Sequence, residues 1–192
     1  MRTFLKILGV LVIGVVLGLA ATWATVIRGG WGGAVSDGPW KTSLTVGSSE
    51  GGMYQRASVA VHGLLALNRS ETIYYTANTD SAGEPLRADA HCPYRIDGRD
   101  LPARWWSITA YGADDYLIPN AAGRYSVTKN SVIQRNRDSF VANVSVDPSP
   151  ENWIPVTKGP FSLSIRLYNP DPKVAADPAH IALPTITSSC GT

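Results

Sequence analysis

Glu71, Arg124 and Arg166 are the side chains of this 192-residue sequence whose types and neighbours best suit binding chemistry. Glu71 stands just ahead of the aromatic pair Tyr74 and Tyr75. Arg124 lies between a glycine and Tyr125, and Arg166 interrupts a run of small polar residues next to Tyr168. A guanidinium projecting from a strand can grip a carboxylate through two parallel hydrogen bonds. With Tyr74 and Tyr168, these residues form a candidate ligand-binding set. A plainer use is open to them as well, an ion pair between Glu71 and an arginine that braces a sheet against a helix.

Other groupings lose their chemistry once spacing is considered. Trp105, Trp106, Tyr111 and Tyr116 concentrate aromatic surface of the kind that stacks on sugar rings. Neighbouring strand residues point to opposite faces, so Trp105 and Trp106 cannot serve one platform, and packing in a core or interface is the simpler use. Asp114 and Asp115 are adjacent too. They diverge in a strand and are usually solvated in a turn, whereas a glycosidase pair must face across a cleft at about 5–9.5 Å. His62, His91 and His180 show no ligand spacing, so no metal is expected. The sequence has no G-x-S-x-G elbow, P-loop or G-x-G-x-x-G unit. No catalytic residue and no cofactor is assigned.

The elements that must position these side chains are mostly strands. Ile73, Tyr75 and Ala77 alternate with Thr72, Tyr74 and Thr76, and Trp106, Ile108 and Ala110 alternate with Trp105, Ser107, Thr109 and Tyr111. Phe140, Ala142, Val144 and Val146 repeat the pattern. Phe161, Leu163, Ile165 and Leu167 give its cleanest form, with Ser162, Ser164, Arg166 and Tyr168 between them. Period-two alternation predicts strands with one buried and one wetter face, paired antiparallel. Turn signals at Asp80–Gly83, Asp97-Gly98, Asn120–Gly123 and Asn136–Asp138 separate the runs. The fold class expected is a mainly β, antiparallel sandwich. One amphipathic helix is expected over Met53–Leu67, with Val59, Leu64, Leu65 and Leu67 as its apolar stripe. The proline-rich tail from Asn169 to Thr192 reads as an extended strap.

Ahead of the domain lies an apolar run, Ile7 to Ile27, free of charge, with Arg2 and Lys6 before it and Arg28 after it. About 20 apolar residues cross a bilayer as a helix, so residues 1–28 are expected to be a single transmembrane anchor. A cleaved secretory signal and a buried globular helix are the alternatives. A signal has an apolar region of roughly 7–15 residues and a small-x-small cleavage site. This run is longer, and Trp23 interrupts the small residues from Ala20 to Ala24. Arg2 and Lys6 favour a cytoplasmic N-terminus and an exported domain, on the periplasmic or extracellular side, with Arg28 as weak opposition. Trp23 and Trp31 suit the far interface. Gly29–Ser49, rich in Gly and Ser, reads as a tether, and 50–192 as the domain.

The whole chain carries +2, with 17 basic and 15 acidic residues. Removing Arg2, Lys6 and Arg28 leaves 14 basic against 15 acidic, a net −1. No face clusters Lys or Arg, which argues against nucleic acid and polybasic lipid contact. Cys92 and Cys190 are the only cysteines. In an exported domain a bare pair reads as a disulfide, worth up to about 4.7 kcal/mol for a loop near 100 residues; two buried thiols are the alternative.

The stretches "LPARWWSITAYGADDYLIPNAAGRYSV" and "NWIPVTKGPFSLSIRLYNP" resemble the family called domain of unknown function 1214. "YQRASVAVHGLLALNRSETIYYTANTDSAGEPL" is similar to that family's helix and first strand. The resemblance covers about Met53 to Pro170 and implies a jelly-roll-like β-sandwich with a helix at its start. It brings no agreed activity. Asp114-Asp115 departs from the family pattern, which commonly has Gly in this turn. Long family members carry a preceding 1254-type half. Its absence here implies a 1254-type partner protein. The function expected is a membrane-anchored cell-envelope interaction module; the alternatives are a small-molecule or glycan-binding module and, third, a jelly-roll hydrolase or lyase.

Overall fold

The alternating runs form strands, and their apolar faces meet in one core. The computed structural model describes residues 2–28, 34–48, 50–61, 67–89, 92–136 and 138–189. The strands are β1 (Ala34–Asp37), β2 (Trp40–Ser43), β3 (Thr72–Ala77), β4 (Arg87–Ala88), β5 (Tyr94–Arg99) and β6 (Ala103–Gly112). They continue with β7 (Ser126–Thr128), β8 (Gln134–Asn136), β9 (Ser139–Ser145), β10 (Trp153–Pro155), β11 (Gly159–Pro170) and β12 (Thr185–Ser188). The helices are α1 (Arg2–Trp23), which runs into a π-helical turn at Ala24–Arg28, α2 (Met53–Val61) and the short α3 (Pro172–Ala176).

A seven-stranded sheet runs β1-β2-β3-β11-β6-β7, with β4 added to the start of β11. A five-stranded sheet runs β10-β9-β5-β12, with β8 also on β9. Pairing is antiparallel except between β9 and β10. Ile73, Tyr75, Trp106, Ile108, Leu163, Ile165 and Leu167 of the larger sheet join Ile96, Phe140, Ala142, Val144 and Ile186 of the smaller in one buried cluster. Rings lock the two layers together: Trp106 stacks on Phe140 at 5.1 Å, and Tyr94 meets Phe161 edge-on at 5.4 Å. The mainly β fold with two facing sheets is therefore as the periodicity predicts.

Three expectations need correction. The Gly29–Ser49 tether is not a tether from residue 34 on. β1 and β2 form a hairpin there, and β2 pairs with β3. Trp40 is its anchor, fully buried, with its indole N–H donating to the Pro184 carbonyl at 2.7 Å. Gly and Ser masked a single large side chain whose burial outweighs their flexibility. The second correction concerns the tail. It is not only an extended strap, because it contains α3 and then β12, which pairs with β5 over Thr185–Ser188. Tyr75 Oη donates to the Pro178 carbonyl and fastens the segment between them.

The third concerns Asp97-Gly98, which lies inside β5 and not in a turn. A Cβ on Gly98 would stand 2.7 Å from the Phe140 ring, so this glycine serves close approach. Of the helix expected over Met53–Leu67, the described part is α2, and none of its residues joins the core cluster. Its only buried residue is Ser58, Leu67 lies beyond it, and 62–66, with Leu64 and Leu65, are outside the described residues. Cys190, His62, His91 and Trp31 are also outside them. Among the described residues no cysteine is free; the pairing expected between Cys92 and Cys190 falls outside the described residues.

No residue of α1 is buried, which excludes a core helix. The stretch Arg2–Val26, 25 residues, is long and apolar enough to cross a membrane, as an anchor or a signal segment. Two polar devices finish the fold. Trp106 Nε1 donates to Asp100, whose other oxygen is 3.1 Å from Lys129 Nζ. Asn152, buried at the junction of β8, β9 and β10, donates to the Ile133 and Val141 carbonyls and accepts from the Ile133 amide. It thereby closes the edge of β9 where β8 stops and β10 begins.

Candidate functional site

β11 lies between β3 and β6, so its outward residues have neighbours on both sides. Because Phe161, Leu163, Ile165 and Leu167 are buried, Ser162, Ser164, Arg166 and Tyr168 take the outer face. Register then fixes who stands beside whom. Arg166 is flanked by Tyr74 and Ser107, Tyr168 by Thr72 and Trp105, Ser164 by Thr76 and Thr109, and Ser162 by Tyr111. Small hydroxyl residues thus carpet the sheet, and the long side chains stand above them.

Arg166 is the centre. Its Nη2 donates to Tyr111 Oη at 2.5 Å. Its guanidinium carbon lies 5.2 Å from the Tyr111 ring centroid and 6.0 Å from that of Tyr74. Both are within the range in which a ring face attracts a cation. Among the described residues, no carboxylate lies within ion-pair distance of Arg166. The cation is half-buried and held by aromatic faces and one phenol. Burial holds the Tyr74 phenol above its ordinary pKa, opposed by the Leu67 backbone and by Arg166. Next to it, Trp105 and Tyr168 lean together at 5.2 Å and 56°. Beside Tyr168 in register, Thr72 is buried.

The structure therefore brings three of the sequence-predicted residues together, Tyr74, Arg166 and Tyr168. It leaves two outside. Glu71 is exposed just before β3, with its backbone carbonyl accepting from Asn169. Its carboxylate makes no ion pair among the described residues. Arg124 is exposed in the β6–β7 loop, its backbone tied to the Asn120 side chain at both N–H and C=O. Tyr111 is the partner that sequence reasoning missed. Its alternation with Trp106, Ile108 and Ala110 put it on the outer face, but nothing local announces that β6 lies beside β11. Trp105 and Trp106 do fall on opposite faces, with Trp106 in the core.

The smaller sheet offers a second feature, a surface cavity of about 420 Å³ bordered by Arg95, Arg99, Arg135 and Asp97. Arg95 is already satisfied there, bidentate to Asp97 at 2.6 and 2.7 Å. Among the described residues no His, Cys, Asp and Glu gather into a metal-binding group. His180 is exposed and bonded to Asp177 at 2.9 Å.

A family model described as "Protein of unknown function (DUF1214)" matches residues 71–172. No curated protein matches the chain. Among solved structures, the VPA0106 protein from Vibrio parahaemolyticus is similar at a TM-score of 0.60 and 21% identity. The match covers 72% of this chain and 36% of that one, so this chain spans about a third of that relative's length. An uncharacterised protein from Burkholderia cenocepacia is matched at a TM-score of 0.42 and 15% identity, over 87% of this chain and 38% of that chain.

Proposed function

We propose that this chain, which belongs to the DUF1214 family, is a membrane-anchored cell-envelope module that binds a separate, 1254-type protein through the outer face of its larger sheet. The observation that carries this reading is Arg166. A half-buried guanidinium flanked by two tyrosines, with no carboxylate beside it among the described residues, is a prepared half of an ion pair. Arg is suited to the task because its planar fork matches a carboxylate and its face stacks on rings. Tyr and Arg are also the residues that dominate interface energetics.

The domain would sit on the exported side, with Arg2 and Lys6 in the cytoplasm. The test is affinity purification of the full chain from membranes in mild detergent, followed by mass spectrometry. A stoichiometric partner is expected, and Arg166→Gln should reduce its recovery at least about tenfold, since removing one member of a desolvated charge pair costs several kcal/mol. Recovery of this chain alone would overturn the reading.

The tilted Trp105–Tyr168 pair favours a second reading, a small-molecule or glycan site on the same face. In that case the purified chain alone would bind an oligosaccharide, with quenching of Trp105 fluorescence that Tyr168→Ala removes.

A further inference from the structure

The amphipathy of α2 runs the wrong way for a globular helix. At about 100° per residue, Met53, Tyr54, Ala57, Ala60 and Val61 share one side, and all are exposed, Met53 at 78%, Tyr54 at 57% and Val61 at 59%. The opposite side holds Gln55, Ser58 and Val59. Gln55 is fixed to the chain leaving β2, through Ser43 Oγ at 3.0 Å and Thr45 Oγ1 at 2.7 Å. The polar side is thus pinned to the protein and the apolar side faces out. Arg56, at the border of the apolar side, is exposed and donates from Nε to the Gly51 carbonyl.

The position of α2 identifies what covers that side. It packs beside the π-helical turn Ala24–Arg28 that ends α1. With Arg2 and Lys6 at the opposite surface, the charge-free run Ile7–Ile27 has 21 residues, about 31 Å of helix against a hydrocarbon core of about 30 Å. Its last turn therefore stands where the core meets the headgroups, and a helix in contact with that turn stands there too. Tyr54 and a border arginine suit that depth, one as an amphipathic ring and the other as a cation among phosphates.

We propose that α2 is an interfacial helix whose Met53, Tyr54, Ala57, Ala60 and Val61 side lies in the bilayer surface, clamping the domain against the membrane. The proposal rests on α1 being the anchor, and the experiment separates the two. The full chain is placed in nanodiscs of phosphatidylethanolamine and phosphatidylglycerol, with photo-cross-linking benzoylphenylalanine at Tyr54, Val61, Val16 or Tyr116. All four positions are exposed, so folding is spared. Lipid adducts are then read by mass spectrometry. Adducts at Tyr54 and Val61 at least tenfold above those at Tyr116, with Val16 also labelled, are the expected result. Lipid labelling at Val16 with Tyr54 and Val61 no higher than Tyr116 would overturn the interfacial helix and leave the anchor standing. Absence of labelling at Val16 would overturn both, and adducts from Tyr54 to protein in place of lipid would assign the side to a second copy of the chain and overturn the proposal.

Discussion

Asn152 holds a left-handed backbone with φ 45° and spends its whole side-chain amide on three backbone groups. Asn adopts this region more readily than other non-glycine residues. Asn152→Ala leaves the Ile133 amide and carbonyl and the buried Val141 carbonyl without this partner, so a loss of about 1–3 kcal/mol is expected. Denaturant unfolding of the full chain in detergent, followed by tryptophan fluorescence, checks it; a change below about 0.5 kcal/mol would contradict the assigned role. His180 gives a pH-dependent test. The hydrogen bond and charge of Asp177 raise its pKa above the ordinary value. A raised pKa means the pair contributes fully below about pH 6.5, the unfolded value, and is lost as pH climbs through the folded one. An NMR titration should place the His180 midpoint above 6.5, and Asp177→Asn should bring it down; an unchanged midpoint in that variant would refute the pairing.

At the scale of elements, close approach explains where glycine is required. Gly98 pairs with Phe140 across β5 and β9. A methyl there would meet the Phe140 ring at 2.7 Å and Pro184 at 2.9 Å, so Gly98→Ala is expected to destabilise by about 1–3 kcal/mol, as overpacking does. A melt showing equal or higher stability would mean the sheets can part. In the β6–β7 loop, Asp115 has φ 62°, the conformation glycine adopts freely, and this accounts for Asp being accepted where a Gly turn was expected. The loop keeps its shape through the Gly112 amide on the Tyr116 carbonyl and the Asp115 amide on the Gly112 carbonyl.

For the whole molecule, the N-terminal hairpin and the C-terminal segment close the same core from opposite ends of the sequence. Trp40 meets Pro184, and Tyr75 meets Pro178. A chain beginning at residue 44 would therefore expose a cavity the size of an indole and free the edge of β3. It is expected to lose its cooperative thermal transition, whereas a true tether would be removable without cost. Circular dichroism of the two chains distinguishes these outcomes. Arg166→Gln, by contrast, removes no core side chain, so the cooperative transition should persist with its melting temperature within about 6 °C of the parent while partner recovery falls.

Phe161, Leu163, Ile165 and Leu167 show how far the sequence alone reaches. Period-two alternation is a local property, so strands and their buried faces were legible from it, as the N-terminal helix was from the unbroken apolar run Ile7–Ile27. It also put Tyr74, Arg166 and Tyr168 on outward faces. Which strands become neighbours is not local. That Arg166 stands between Tyr74 and Tyr111 depends on β11 inserting between β3 and β6, which are separated from it by dozens of residues, and only the tertiary structure decides it. Trp40 and β12 were illegible for a related reason. Each lies in a Gly-, Ser- or Pro-rich stretch whose local preference is loose, and each is ordered by burial against a distant element. The outward side of α2 follows the same logic in reverse: an apolar stripe says only that something covers it, and the contact with the end of α1 supplies the depth.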